Sequence, residues 1–126
     1  MIELMKKILI ADDGANTRRA ISLCLQLHGY QTAQASHGRE AVEMTESGDI
    51  ALILMDMVMP EMNGIEAARL IRARHADLPV IFMSSYVARE NRTENISDRF
   101  LAKPFPVEDL LKEIERQLAP VEKMAG

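Results

Sequence analysis

A chain of 126 residues with 48% hydrophobic and 27% charged content has the size and make-up of one globular domain with its own core. Its formal charge of −4 argues against a dedicated nucleic-acid-binding surface, which would be basic. The single cysteine excludes an internal disulfide, and the longest apolar run, Ile50 to Met55, is far shorter than the roughly 20 residues that cross a bilayer, so no membrane insertion is expected.

The opening MIELMKKILIADD has no long apolar segment and no small-residue cleavage site. It therefore predicts no signal peptide, and a cytoplasmic location follows as the default. Within it Lys7-Ile-Leu-Ile-Ala11 predicts a buried strand that ends at the acidic pair Asp12-Asp13. From 15 to 28, Ile21, Cys24, Leu25 and His28 recur at helical spacing, and Gly29 is placed to stop the helix in a left-handed cap. Cys24 reads as a small buried hydrophobe on that helix. The basic clusters Arg18-Arg19 and Arg69, Arg72, Arg74 read as solvated helix faces.

Gln31 to Ser36 predicts a weaker strand, and Arg39 to Glu46 a short helix ended by Gly48. Ile50 to Met55 is the strongest strand signal in the chain. Asn63 is placed to cap a helix from Gly64 to about His75, with Ile65, Ala68, Leu70 and Ile71 on its apolar side. Pro79 to Met83 predicts a fourth strand and Arg99 to Lys103 a short fifth. Val107 to Leu118 closes the chain as a helix with Leu110, Leu111, Ile114 and Leu118 turned inward. With no repeat, linker or low-complexity tract, residues 1–126 read as a single domain.

Short strands alternating with helices imply an α/β fold: a doubly wound, mostly parallel sheet covered on both faces. Such folds gather their ligand site beyond the carboxyl ends of the strands. Those ends carry Asp12 and Asp13, Asp56, Ser84 and Lys103. Three converging carboxylates would repel one another, and an oxygen-loving divalent cation relieves the conflict, which favours magnesium, with manganese as a substitute. Magnesium pairs carboxylates with phosphate oxygens, so Ser84 and Lys103 become candidate donors to a phosphoryl group and Asp56 a candidate nucleophile forming an acyl phosphate.

The stretches ILIADD (8–13), LILMDMVMPEMNG (52–64), VIFMSS (80–85) and FLAKPF (100–105), in this order and near these spacings, resemble the receiver domain of two-component response regulators, of the chemotaxis-regulator type. The likeness runs from the first strand to the last helix. It implies a flavodoxin-like five-stranded sheet of order 2-1-3-4-5 with five helices. It further implies a phosphoryl group taken from a phosphohistidine on a histidine kinase or histidine phosphotransfer protein. Asp56 resembles the phosphoacceptor, Asp13 the direct magnesium ligand with Asp12 assisting, and the carbonyl of Met57 the backbone ligand. Lys103 resembles the cation on the phosphoryl oxygens. Ser84 and Phe100 resemble the switch pair that reorients on activation, and Pro104 the cis-proline that aims Lys103. Pro60 and Gly64 resemble parts of the turn after the third strand.

Taken singly, most of these residues have plainer readings. Asp12 or Asp13 alone reads as a helix cap, Ser84 as a strand-end turn residue and Phe100 as a core aromatic. Met55, Met57, Met59, Met62 and Met83 read as adaptable core and loop filler, and His28, His37 and His75 as surface or capping residues.

The chain also departs from the receiver pattern. Gly14 follows the acidic pair where many receivers carry a larger or acidic residue, and the stretch from Ser84 to Lys103 is about three residues shorter than in typical receivers. ARENRTENI (88–96) has poor helix propensity, so the helix before the fifth strand is expected to be short or frayed and the output surface modified. Val58 and Tyr86 stand two residues past Asp56 and Ser84, where the family tunes water access, and predict slow loss of the phosphoryl group.

Four other functions meet obstacles. A flavin-binding electron carrier needs a hydroxyl-rich phosphate loop and flanking aromatics, but the loop is Asp12-Asp-Gly-Ala-Asn and there is no Trp. An aspartate-nucleophile phosphatase needs a second acid where Val58 stands. A nucleotide hydrolase needs a P-loop the chain lacks. A receiver-like binding module without phosphorylation remains the main alternative, against which the full Asp, Ser and Lys set argues. The expectation is thus a signalling receiver, not an enzyme acting on external substrates, with no output domain after the last helix.

Overall fold

The computed structural model describes residues 6–84 and 99–125. Five strands, β1 (Lys7–Ala11), β2 (Gln31–Ala35), β3 (Ile50–Asp56), β4 (Val80–Ser84) and β5 (Arg99–Ala102), form one sheet of order β2-β1-β3-β4-β5. All four pairings are parallel. The described helices are α1 (Ala15–Leu27), α2 (Gly38–Thr45), α3 (Gly64–Arg74) and α4 (Val107–Ala125). The doubly wound order expected from the sequence is therefore present. The helix expected between the fourth and fifth strands, and Tyr86 with it, lies outside the described residues.

Strand periodicity divides the core between the two faces. Leu9, Ala11, Ile53, Met55 and Phe82 point to one side, where Ala67, Ala68 and Ile71 of α3 meet them. Ile8, Ile10, Leu52, Leu54, Ile81 and Met83 point to the other, against Ile21 and Leu25 of α1 and Leu110 and Ile114 of α4. The central strands are apolar on both faces because both faces are covered. Met55, Met57, Met59 and Met83 are buried, as filler methionines should be, and Met62 packs against the core.

The three histidines all lie at helix ends. His28 follows α1, and its ring Nδ1–H donates to the Cys24 carbonyl at 2.9 Å. His37 caps α2 by accepting the Glu40 N–H on Nδ1 at 3.1 Å, and His75 follows α3. Asn63 caps α3 through its side-chain oxygen, which accepts the Glu66 N–H at 2.9 Å. Gly29 and Gly48 take the positive φ expected of helix-stopping glycines, 91° and 80°.

Three expectations need correction. Leu70 is 47% exposed, because the face of α3 that meets the sheet runs Gly64, Ala67, Ala68, Ile71 and Leu70 falls beside it. Cys24 is only half-buried, on the flank between buried Ile21 and Leu25 and exposed Leu23 and Leu27. The last helix passes Leu118 and continues through Pro120 to Ala125.

Candidate functional site

Sheet register builds the site. Ala11 lies opposite Met55, Asp56 opposite Met83, and Ser84 opposite Ala102. Asp12, Asp56, Ser84 and Lys103 are thereby set along one edge, at or just past the carboxyl ends of four strands. Asp12 and Asp56 are 2% and 6% exposed, whereas Asp13 is open to solvent. One carboxylate oxygen from each of the three acids lies within 4.8 Å of the other two.

Lys103 answers the buried charge. Its Nζ is 2.6 Å from Asp12 Oδ2 and 3.3 Å from Asp56 Oδ2. The remaining oxygens take backbone donors: Gly14 N–H to Asp12 Oδ1 at 2.8 Å and Val58 N–H to Asp56 Oδ1 at 3.3 Å. Burial raises the Asp56 pKa above its ordinary value of 3.8; the Lys103 charge works against that shift, and the neighbouring Asp12 reinforces it. For Lys103 burial is again the largest influence and pulls its pKa down. The Asp12 hydrogen bond and the charges of Asp56 and Asp12 outweigh it, so the net direction is up.

These directions fix the sign of a pH effect. A carboxyl whose folded-state pKa is raised stabilises the fold fully below its unfolded value, and that contribution is lost as pH rises through the folded value. Ionising Asp56 therefore works against the fold while no divalent cation is bound. Asp56→Asn is expected to be more stable than wild type at pH 7 in chelator, with a gain that shrinks towards pH 4. Urea unfolding of both proteins across that range checks it; a gain independent of pH would contradict it.

The chemistry of the donor set suits a divalent cation. It is all oxygen, carries excess negative charge, and includes a carboxylate that burial disfavours in its ionised form. The Met57 carbonyl accepts the Gly64 N–H at 2.9 Å, which leaves its second lone pair for a metal. Ser84 is fully buried, and its Oγ has no hydrogen-bond partner among the described residues, an unusual state for a buried hydroxyl and one a ligand oxygen would relieve.

Around this centre the remaining candidates take their places. The Lys103-Pro104 peptide is cis, as the sequence reading expected. Phe100 is partly buried and stacks on Phe82 with ring centroids 5.5 Å apart. Val58 is 62% exposed at the site's mouth. Gly14 has an ordinary φ of −85° and serves as the N-terminal cap position of α1. Gly64 is placed by close approach: a Cβ there would lie 2.1 Å from the Asp56 carbonyl oxygen.

One residue escaped the sequence reading. Arg18, expected as part of a solvated face, reaches back from α1 and donates from Nη1 to the Asp12 carbonyl at 2.7 Å. Its spacing from Asp12, just over a helical turn beyond the loop, is the only sequence signal it leaves.

The family model for the response regulator receiver domain matches residues 8–115. A curated relative, the response regulator receiver protein CpdR of Brucella abortus, is 36% identical over 117 residues, 90% of this chain and 98% of its own length. The regulatory protein AtoC of Escherichia coli is 34% identical over 117 residues, but the match spans only 25% of that protein. Among solved structures, the response regulator TrrA of Thermotoga maritima in complex with Mg2+ and BeF superposes with a TM-score of 0.81 at 30% identity, covering 90% of this chain and all of that one.

Proposed function

The chain belongs to the response regulator receiver family, and on that premise we propose that Asp56 accepts a phosphoryl group from a phosphohistidine on a histidine kinase or histidine phosphotransfer protein. The carrying observation is that buried Asp56 shares its position with Asp12, Asp13 and Lys103 at the strand ends. Asp12, Asp13, Asp56 and the Met57 carbonyl would hold Mg2+. When bound, the ion offsets their charge and orients phosphoryl oxygens.

In the proposed transfer an Asp56 carboxylate oxygen attacks phosphorus, the P–N bond to the donor imidazole breaks, and the imidazole leaves with its electron pair and takes a proton from solvent. Lys103 Nζ and the Val58 N–H, both beside the Asp56 oxygens, stabilise charge as it develops on the phosphoryl oxygens. Ser84, whose hydroxyl has no partner among the described residues, donates to the acyl phosphate, and Phe100 at the adjoining edge follows, shifting a pre-existing equilibrium between two states. A groove lined by Thr17, Ala20, Ile21, Lys103, Pro104 and Phe105 flanks the site. Among the described residues no helix is long and apolar enough to cross a membrane. Residues 1–126 act in this reading as one receiver.

Intact mass after incubation with Mg2+ and acetyl phosphate tests the proposal. One added phosphoryl group is expected in the wild type, abolished by chelator and absent from Asp56→Asn. A folded wild type with no adduct would favour a binding module that works without phosphorylation. Val58 presents an apolar group where water must approach, so Val58→Asn is expected to lose its phosphoryl group several-fold faster. An unchanged lifetime by the same mass assay would remove Val58 from that role.

A further inference from the structure

We infer that Arg18 is a positioning residue that holds the Asp12-Asp13 loop in register for a divalent cation. The inference rests on the reading of that acidic pair as the cation's ligands. The three described loops at the carboxyl edge that lead into α1, α2 and α3 are anchored differently. Between β3 and α3, Asn63 caps the helix and the Gly64 N–H bonds back to Met57. Between β2 and α2, His37 caps the helix, and Glu40 accepts both the N–H and the hydroxyl of Ser36, at 2.7 and 3.1 Å.

Between β1 and α1 there is no such device. The cap position is Gly14, no side chain caps the helix, and its first turn carries no acid. The Asp12 side chain is tied on both oxygens, to Gly14 N–H and to Lys103, and its N–H is tied to the Ala35 carbonyl. Asp13 is exposed, so the backbone on either side of it sets where its carboxylate points. The carbonyl that begins that stretch, at Asp12, is held by the Arg18 guanidinium at 2.7 Å in a part-buried setting. The Arg18 hydrogen bond thus ties helix to loop across the residue that matters, and the Arg18 N–H bonds to the Gly14 carbonyl at 2.9 Å to close the same turn. Outer partners of this kind set metal affinity by fixing the direction of ligands they never share with the metal.

Charge and bracing make opposite predictions, and this is what makes the inference testable. A guanidinium close to a cation site repels the cation, so deleting its charge alone would tighten binding. Loss of the brace weakens it. Magnesium chloride titrated calorimetrically into wild type, Arg18→Met and Arg18→Lys separates the two. Arg18→Met is expected to bind magnesium about tenfold more weakly. Arg18→Lys, which keeps the charge and a donor, recovers most of the affinity. Melting without the cation, recorded for each protein, distinguishes this from general loosening: the brace reading requires the affinity loss in protein that is still folded. Arg18→Gln, too short to span from α1 to the Asp12 carbonyl, shows the same loss and serves where the methionine variant does not fold. Equal or tighter binding by a folded Arg18→Met or Arg18→Gln would overturn the role of Arg18 alone. A folded wild type that binds no magnesium would overturn the metal reading and this role with it.

Discussion

Gly64→Ala is expected to destabilise the protein by about 3 kcal/mol, the upper part of the usual range for overpacking a close contact. The reason is distance and not dihedral strain. A Cβ at this position would stand 2.1 Å from the Asp56 carbonyl oxygen, 2.9 Å from its carbon and 3.0 Å from Met55 Cγ. Two of these atoms are backbone of a central strand, paired on both sides, so neither can yield cheaply. Relief requires α3 to back away from the end of β3. That movement stretches the Gly64 N–H bond to the Met57 carbonyl and shifts the peptide that carries Asp56. Stability and site geometry are therefore lost together. Gly48→Ala makes the contrast: open space surrounds that position, and only its φ of 80° resists a side chain, at about 1 kcal/mol. Urea midpoints for the two variants, read beside magnesium binding at a temperature where both are folded, check the pair. If Gly64→Ala cost no more than Gly48→Ala and bound magnesium normally, the close approach would not hold the acceptor loop in place.

The strands were legible because their signal is local. Ile8 to Ala11, Ile50 to Met55 and VIFM are continuous apolar runs, and a parallel sheet covered on both faces needs such runs. The acids and the lysine were legible because a doubly wound fold assigns strand ends to one edge, so sequence position translates directly into place. What was hidden depends on pairwise geometry. Nothing in the order of residues says that Lys103 stands nearer Asp12 than Asp56. Arg18 looked like its neighbour Arg19, and only the path of the β1–α1 loop gives it the Asp12 carbonyl. Hydrophobicity alone places Leu70 inward, whereas the small residues Gly64, Ala67 and Ala68 show where α3 comes closest to the sheet. Gly64 read as a turn glycine, although it serves as a point of contact between helix start and strand end.

Lys103→Met is expected to lower stability at pH 7, in chelator, by about 2–3 kcal/mol, less than the full cost of breaking a completely buried pair because Lys103 is 26% exposed. Methionine keeps much of the aliphatic stem, so the loss comes from charge. Two carboxylates, 2% and 9% exposed in their side chains, would be left without their counter-ion. Asp56, already raised by burial, would rise further, since the Lys103 charge is what holds it down. The variant's deficit must therefore grow as pH rises through the Asp56 transition and shrink as pH falls below it, where the Asp56 carboxyl is protonated in both proteins. Above the Asp56 transition the deficit holds steady until Lys103 itself begins to lose its proton in the wild type, with a pKa raised from its ordinary 10.5. Magnesium should reverse part of the damage, because it supplies positive charge to the same oxygens and no longer competes with an ammonium 2.6 Å from Asp12. Phosphoryl transfer should not recover in parallel, since the cation beside the Asp56 oxygens is missing as charge develops there. Urea unfolding between pH 3 and 8, with and without magnesium, alongside the rate of mass gain from acetyl phosphate, reads each part. A deficit that ignored pH, or a transfer rate restored with stability, would mean that Lys103 contributes packing and no charge to the acceptor.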